Sequence, residues 1–183
     1  MRSVLWLLMF GWALTAADDE KAFVSLLSED QVSKWSGDRA VWTVQRQEIR
    51  GYAARQATAL VYEGRSFSEY VLRFSAQARR GSVRILLRNL PFAWVLEIDT
   101  ERVWLRPGGG EGFVAFFNKR GEWADYEVRM RGSTVQLVKN GKPSALDYVA
   151  SHMPETGKIS LQLSETEQGS DIVVRNLRIR PDP

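Results

Sequence analysis

Cysteine is absent from the 183-residue sequence, and His152 is its only histidine. Without thiols the chain can form neither disulfides nor thiolate metal sites. One imidazole cannot build a histidine-rich metal cluster, and a Ser-His-Asp site would depend on this single residue. We interpret His152 as a loop residue and expect no cofactor and no metal. A carboxylate-only calcium site stays open, although no dense Asp/Asn loop stands out.

A concentrated positive charge is also missing. The net charge is only +3, and the 25 basic residues, six of which are lysines, form no dense block. Proteins that bind nucleic acids usually cluster such residues on one face or in one stretch. We therefore expect no nucleic-acid partner and interpret the arginines as scattered over exposed strand faces.

The long apolar stretch near the N terminus has the features of a secretory signal. Arg2 precedes an apolar run from Val4 to Leu14, and the small residues Thr15–Ala17 follow it. This order is typical of a signal peptide, and the run is shorter than the ~20 residues of a spanning helix. We predict a signal peptide over residues 1–17 and a single mature domain over residues 18–183. It would be periplasmic or secreted, with a retained membrane anchor as the alternative.

Alternation of polar and apolar residues indicates strands in the remainder of the chain. In the stretch from Gly121 to Gly141, apolar residues at positions 126, 128 and 130 alternate with charged ones, and Asn140-Gly141 is a strong hairpin signal. Trp123 is predicted to precede the first strand and to anchor the loop before it to the core. Short strands between turn signals predict an all-β sandwich or jelly roll. The residues expected between its sheets are Tyr70, Leu72, Phe74, Ile85, Leu87, Val128 and Leu177.

The hairpin carries a resemblance to a known family. Its pattern, G-x-W-x-x-Y-x-V-x-x-x-G-x-x-V-x-L-x-x-N-G, resembles that of the 3-keto-disaccharide hydrolases, although laminin-G-like binding modules have a similar hairpin. Further motifs in the same order, from Phe23 to Arg180, favour the hydrolase family. The resemblance implies a concanavalin-like jelly-roll β-sandwich of two antiparallel sheets. It also implies an exported domain that acts on glycosides whose sugar is oxidised at carbon 3.

Two departures from the family pattern concern the chemistry. The family's strand ending in arginine is present and keeps Arg88, but Arg84 replaces its glycine. The family glutamate falls on Val95, and Glu97 stands where glutamine is expected. The family's histidine is also missing, because Leu163-Ser164-Glu165 stands where the family shows D-H-G. An acid and an imidazole are the groups that move protons at neutral pH, so catalysis requires a replacement.

Polar residues on two neighbouring strands form the candidate site. Alternation places Arg84 with Arg88, and Glu97 with Asp99, so pairing of the strands is expected to bring Glu97 beside Arg88. Glu97 is the tentative catalytic residue, but a carboxylate between arginines serves better as an acceptor for a sugar hydroxyl than as a general acid. An exposed cross-strand ion pair is the alternative. The predicted substrate-binding residues are Arg84, Arg88, Asp99 and Trp104, the last as an exposed platform for a sugar ring.

Three functions therefore stay open. The first is a 3-keto-glycoside hydrolase with a rearranged acid, and the second is a glycan-binding relative without catalysis. The third is a structural or interaction domain of the cell envelope. The expected partner is a carbohydrate or glycoside, bound on the concave sheet by a monomer without a membrane span after signal cleavage. A groove lined by Glu97, Arg88 and an aromatic side chain would favour the first two functions.

Overall fold

The computed structural model describes residues 20–52, 56–88, 94–107, 111–145, 147–149, 154–164 and 169–182. The predicted signal peptide, His152 and Glu165 lie outside these ranges. No helix within them is long and apolar enough to cross a membrane.

Sixteen strands, one helix of four residues and the helical residues 20 and 21 make up most of the regular secondary structure of the ranges just given. The strands alternate polar and apolar residues over short distances, which explains the near absence of helix. In chain order the elements are β1 (Val24–Ser25), α1 (Glu29–Val32), β2 (Trp35–Gly37), β3 (Trp42–Gln45), β4 (Glu48–Tyr52), β5 (Thr58–Tyr62), β6 (Tyr70–Arg80), β7 (Val83–Leu87), β8 (Trp94–Ile98), β9 (Arg102–Arg106), β10 (Phe113–Phe117), β11 (Trp123–Arg131), β12 (Thr134–Lys139), β13 (Lys142–Pro143), β14 (Tyr148–Val149), β15 (Ser160–Leu163) and β16 (Asp171–Pro181).

The strands form two antiparallel sheets, as predicted. The large sheet has nine strands with the order β13-β12-β11-β6-β16-β4-β3, while β1 pairs with β16 and β14 with β12. The small sheet has seven strands with the order β10-β9-β8-β7-β15-β5-β2. Within the large sheet β4 and β1 share one edge of β16, because β4 pairs with its first half and β1 with its second half.

Apolar side chains from both sheets form one core. All seven residues predicted to be buried are at most 3% exposed, which confirms the assignment of faces on β6, β7, β11 and β16. Three of the tryptophans, Trp35, Trp42 and Trp94, are also in the core. Because neighbouring side chains of a strand point to opposite faces, fixing the core face fixes which residues are available on the outside.

The central hairpin is present, but it begins earlier than predicted. β11 starts at Trp123, and alternation with the buried Ala124 places the indole on the outer face of the large sheet. There the guanidinium of Arg175 lies 3.8 Å from its ring centroid. The prediction that Trp123 anchors a loop to the core is therefore wrong. The predicted turn is confirmed, with φ values of 49° at Asn140 and 75° at Gly141.

Candidate functional site

A row of four side chains crosses the outer face of the small sheet. The strand register places Gln162 opposite Arg84, Arg84 opposite Glu97, and Glu97 opposite Trp104. Their chain neighbours point inward and are buried, so these four side chains share the face away from the core. We call Gln162, Arg84, Glu97 and Trp104 the outer polar row. Three of its members were predicted as site residues.

Glu97 is the most enclosed member of the outer polar row, with 8% exposure. Its Oε2 lies 3.4 Å from Arg84 Nε and 3.1 Å from Nη2 of Arg106. Its Oε1 accepts a hydrogen bond of 2.9 Å from Ser82 Oγ, which also lies 2.8 Å from Ser164 Oγ. Both carboxylate oxygens are thus engaged and the side chain is held in place. Because Glu97 is buried, it does not form the exposed cross-strand ion pair that the sequence left open as an alternative.

Arg88 does not join this row, and the expected pairing of Arg88 with Glu97 is wrong. β7 ends at Leu87, and Arg88 has a φ of 63°, so the backbone leaves the extended conformation and the alternation stops. The arginine is 2% exposed. Its Nε and Nη2 donate to the carbonyl of Ser68 at 2.8 and 2.5 Å, and Nη1 donates to Gly132 at 2.9 Å and Pro154 at 2.7 Å. The guanidinium therefore joins three backbone segments.

Asp99 lies at the end of the same face, where it shapes the connection from β8 to β9. Its Oδ1 accepts hydrogen bonds of 2.6 Å from the backbone N–H groups of Glu101 and Arg102. Its Oδ2 accepts from Trp104 Nε1 at 3.3 Å. This arrangement is typical of an Asx-type turn, in which the carboxylate replaces a backbone acceptor. Asp99 orients the indole, and most of its acceptor capacity is already used.

Trp104 is half-buried and lies among arginines. The guanidinium carbons of Arg102 and Arg106 are 5.7 and 5.2 Å from its ring centroid, within the range of cation–π contacts. Beyond it, on the edge strand β10, Val114 is opposite Trp104 and Phe117 is opposite Arg102. These two apolar side chains are 41% and 77% exposed. The face thus passes from a charged centre to an apolar, aromatic edge.

Arg106 and Phe117 were not predicted as site residues. Arg106 was noted only as a flank of Trp104, although period-two spacing already put both on one face. Phe117 belongs to the run Phe113–Phe117, where apolar residues do not alternate with polar ones. The register shift between Val114 and Phe116 explains why spacing alone does not reveal which of these rings faces outward.

The side chains on this face offer several hydrogen-bonding groups. Val95, at the position of the family glutamate, is half-buried and lies opposite Leu86 and Arg106, so an apolar group occupies that place. The described ranges contain no group of three or more metal-ligating residues. Guanidinium groups can donate to sugar oxygens, and the Gln162 amide can donate and accept. Glu97 is the carboxylate in the row itself, and two guanidinium groups hold it.

The comparison with protein families agrees with the sequence resemblance. The model of the 3-keto-alpha-glucoside-1,2-lyase-like domain matches residues 22–180. The chain belongs to this family. It is therefore a carbohydrate-active domain of the glycosyl hydrolase-like kind. No curated protein matches the sequence of this lyase-like domain.

Solved structures share the fold of the lyase-like domain at low sequence identity. A candidate glycosyl hydrolase from Parabacteroides distasonis ATCC 8503 is 14% identical, with a TM-score of 0.66 over 87% of this chain and 99% of the other. A second candidate glycosyl hydrolase from that organism is 16% identical, with a TM-score of 0.66 over 91% and 97%. A carbohydrate-binding module from Bacillus subtilis is 12% identical, with a TM-score of 0.62 over 80% and 95%. At these identities the likeness supports the fold.

Proposed function

We propose that this lyase-like domain recognises glycosides carrying a 3-keto sugar, and that it binds them on the outer polar row. The observation that carries the proposal is the enclosed Glu97 carboxylate between Arg84 and Arg106, next to the indole of Trp104. Planar guanidinium groups held by a neighbouring carboxylate are positioned before a ligand arrives, which reduces the entropy lost on binding. Their side chains are 38% and 39% exposed, so they can reach a ligand.

The hydrogen-bonding character of this row favours a ketone over an alcohol. A sugar hydroxyl both donates and accepts, whereas a carbonyl oxygen only accepts. The two oxygens of Glu97 already accept hydrogen bonds, so the groups left for a ligand are chiefly guanidinium donors. A hydroxyl bound at the guanidinium groups would need an acceptor for its own proton, and away from the Gln162 amide the unpaired proton costs binding energy. We therefore expect the site to bind a 3-keto sugar more tightly than the unoxidised sugar.

Catalysis by Glu97 is the second candidate function, and one observation favours it. The Glu97 carboxylate lies within the row that would contact the ligand, so it is placed to remove a proton next to a ketone or to assist hydrolysis. Two guanidinium groups and Ser82 hold this carboxylate in one position, so it would meet a bound ligand in a fixed geometry.

Binding and turnover assays separate these functions. The wild type, Glu97→Gln and Trp104→Ala are titrated with 3-keto-disaccharides and with the unoxidised parents, and products are followed. We expect the ketone to bind about tenfold more tightly than its parent, a difference of about 1.4 kcal/mol. Each variant should lose at least about tenfold in affinity, because it removes a row member. Glu122→Gln makes the same chemical change on an exposed side chain and should have no effect.

The outcomes assign the function. Binding without turnover supports recognition, while turnover that disappears in Glu97→Gln supports catalysis by this carboxylate. If the folded protein neither binds nor converts any of these sugars, the proposal is overturned, and an envelope or interaction role takes its place.

We further propose that the domain works outside the cytoplasm, in the periplasm or secreted. The support is Arg2, the apolar run and the small residues before Asp18, together with the lack of any cysteine to protect from oxidation. Sequencing the N terminus of the protein from its native host checks this, and a mature chain that retains Met1 would contradict it.

A further inference from the structure

A cavity of about 750 Å³ opens on the outer face of the large sheet. It lies on the other side of the sandwich from the outer polar row, because each site is on the solvent face of its own sheet. The floor is formed by β6, β11 and β16, and the walls by β1 and by the turns that contain Gln47 and Gly141. Its volume is within the range of about 300–1,000 Å³ that is usual for small-molecule sites.

A break in β16 supplies polar groups to this cavity. The pairing of β16 with β6 shifts register between Arg175 and Arg178, and Asn176 has a φ of 55° within this bulge. Its backbone N–H donates to the carbonyl of Gln47 at 3.0 Å, and Gln47 itself has a φ of 69°. Bulges of this kind redirect side chains, and such backbone conformations in residues other than glycine are concentrated at functional sites. Both residues line the cavity.

The charged groups of the cavity compensate one another. Glu127 Oε2 accepts from Arg73 Nε at 2.6 Å, and its Oε1 accepts from Arg129 Nε at 2.6 Å. Glu20 bridges Arg73, at 2.8 Å, and Arg178. Burial raises the pKa of the Glu127 carboxyl, but the hydrogen bonds from the two arginines outweigh this and lower it overall, so the group is ionised at neutral pH. An anionic ligand would therefore meet no concentrated positive field.

Polar groups with unused capacity remain around these ion pairs. The Asn176 and Gln47 amides have no side-chain partner within the described ranges, and both residues are exposed. Asp125 Oδ1 accepts a hydrogen bond of 2.6 Å from Ser75 Oγ, which leaves Oδ2 as an acceptor. The cavity thus offers donors and acceptors together, which is the pattern that hydroxyl groups of a sugar require.

Phe23, the residue directly before β1, lines the cavity and lies among arginine side chains. The guanidinium carbons of Arg73, Arg178 and Arg180 lie 4.3, 5.4 and 5.3 Å from the ring centroid of Phe23. Contacts of this kind between cations and an aromatic ring stabilise the position of the ring. A wall fixed in advance reduces the ordering cost when a ligand binds.

We propose that this cavity is a second carbohydrate site, which takes a neutral oligosaccharide independently of the outer polar row. The compensated charges disfavour phosphates and uronic acids, and the mixture of amide, guanidinium and carboxylate groups matches a chain of hydroxyls. The domain would then contact glycans on both faces of its sandwich. Two modest sites that engage the same polysaccharide would increase its overall affinity through effective concentration.

Nuclear magnetic resonance with isotope-labelled protein tests this second site. Maltohexaose, cellohexaose and laminarihexaose are the probes, and the side-chain signals of Asn176, Gln47 and Arg178 report on the cavity. We expect at least one probe to shift all three signals. Asn176→Gly should weaken that binding by at least about tenfold, through loss of the amide, while glycine tolerates the positive φ. Asn176→Asp serves as a second variant that also suits this backbone conformation.

Trp104→Ala is the matched control, because it alters the opposite face and should leave the cavity signals unchanged. Oligogalacturonate tests charge, and its shifts should be weaker than those of the neutral probes. The proposal is overturned if none of the neutral probes shifts the cavity signals, if oligogalacturonate alone does so, or if both Asn176 variants bind as well as the wild type. The three reporters line the cavity on the large sheet, whereas the outer polar row is on the small sheet. This test can therefore succeed even if the outer polar row does not bind the ketone.

Discussion

Replacing Arg88 with alanine is expected to lower the free energy of unfolding by about 3–5 kcal/mol. The buried guanidinium donates to the carbonyl oxygens of Ser68, Gly132 and Pro154, which belong to segments far apart in the chain. Removing it breaks the hydrogen bonds to all three carbonyls, and a hydrogen bond made by a charged group contributes about 1.5–3 kcal/mol. Chemical denaturation followed by tryptophan fluorescence measures the change.

Two comparisons make the Arg88 result specific. Arg84→Ala removes the same kind of side chain from β7, four residues earlier in the chain, but that arginine is 38% exposed, so a loss below about 1 kcal/mol is expected. Arg88→Lys should recover only part of the stability, because a single ammonium lacks the planar fork of donors that reaches several carbonyls. Equal losses for Arg88→Ala and Arg84→Ala would show that the three-segment junction does not stabilise the fold.

Leu72→Ala is expected to destabilise the domain by about 2–5 kcal/mol. Leu72 has no exposed surface and lies in β6, between Val128 of β11 and Ile179 of β16. The substitution loses apolar burial and leaves a cavity, and both effects lower stability. Urea denaturation at constant pH provides the measurement.

Val149→Ala is the control for Leu72→Ala. Val149 is 71% exposed, so its truncation should change stability by less than about 0.5 kcal/mol. A shift for Leu72→Ala as small as that of the control would mean that this position is not part of the core.

The faces of the strands could be predicted from the sequence because side chains alternate within a strand. This rule placed Leu72 and Ile85 inside, and Glu97 with Arg84 outside, as the structure has them. The rule fails where the backbone is no longer extended. The residue type does not predict this at Arg88, because arginine rarely adopts a positive φ. It also does not define where a strand begins, which is why Trp123 was placed before β11.

The cavity on the large sheet could not be predicted for a different reason. Its lining comes from β1, the turn before β4, and the bulge of β16, which are distant in the sequence. Alternation assigns each residue to a face but gives no information about which strands are neighbours. From the sequence alone, Asn176 looks like any other polar residue of a strand. Its place in the cavity becomes evident only from the register shift of β16.

The position of β16 has a consequence for the order of folding. This strand is the last of the domain in sequence, yet it lies between β6 and β4 and also pairs with β1. During synthesis β4 and β6 emerge early and have no partner between them until the C-terminal end of the domain follows. Pairings between such distant segments form slowly, because the loop must close before the contacts stabilise it. We therefore expect the large sheet of the nascent domain to close only when translation of the domain is nearly finished.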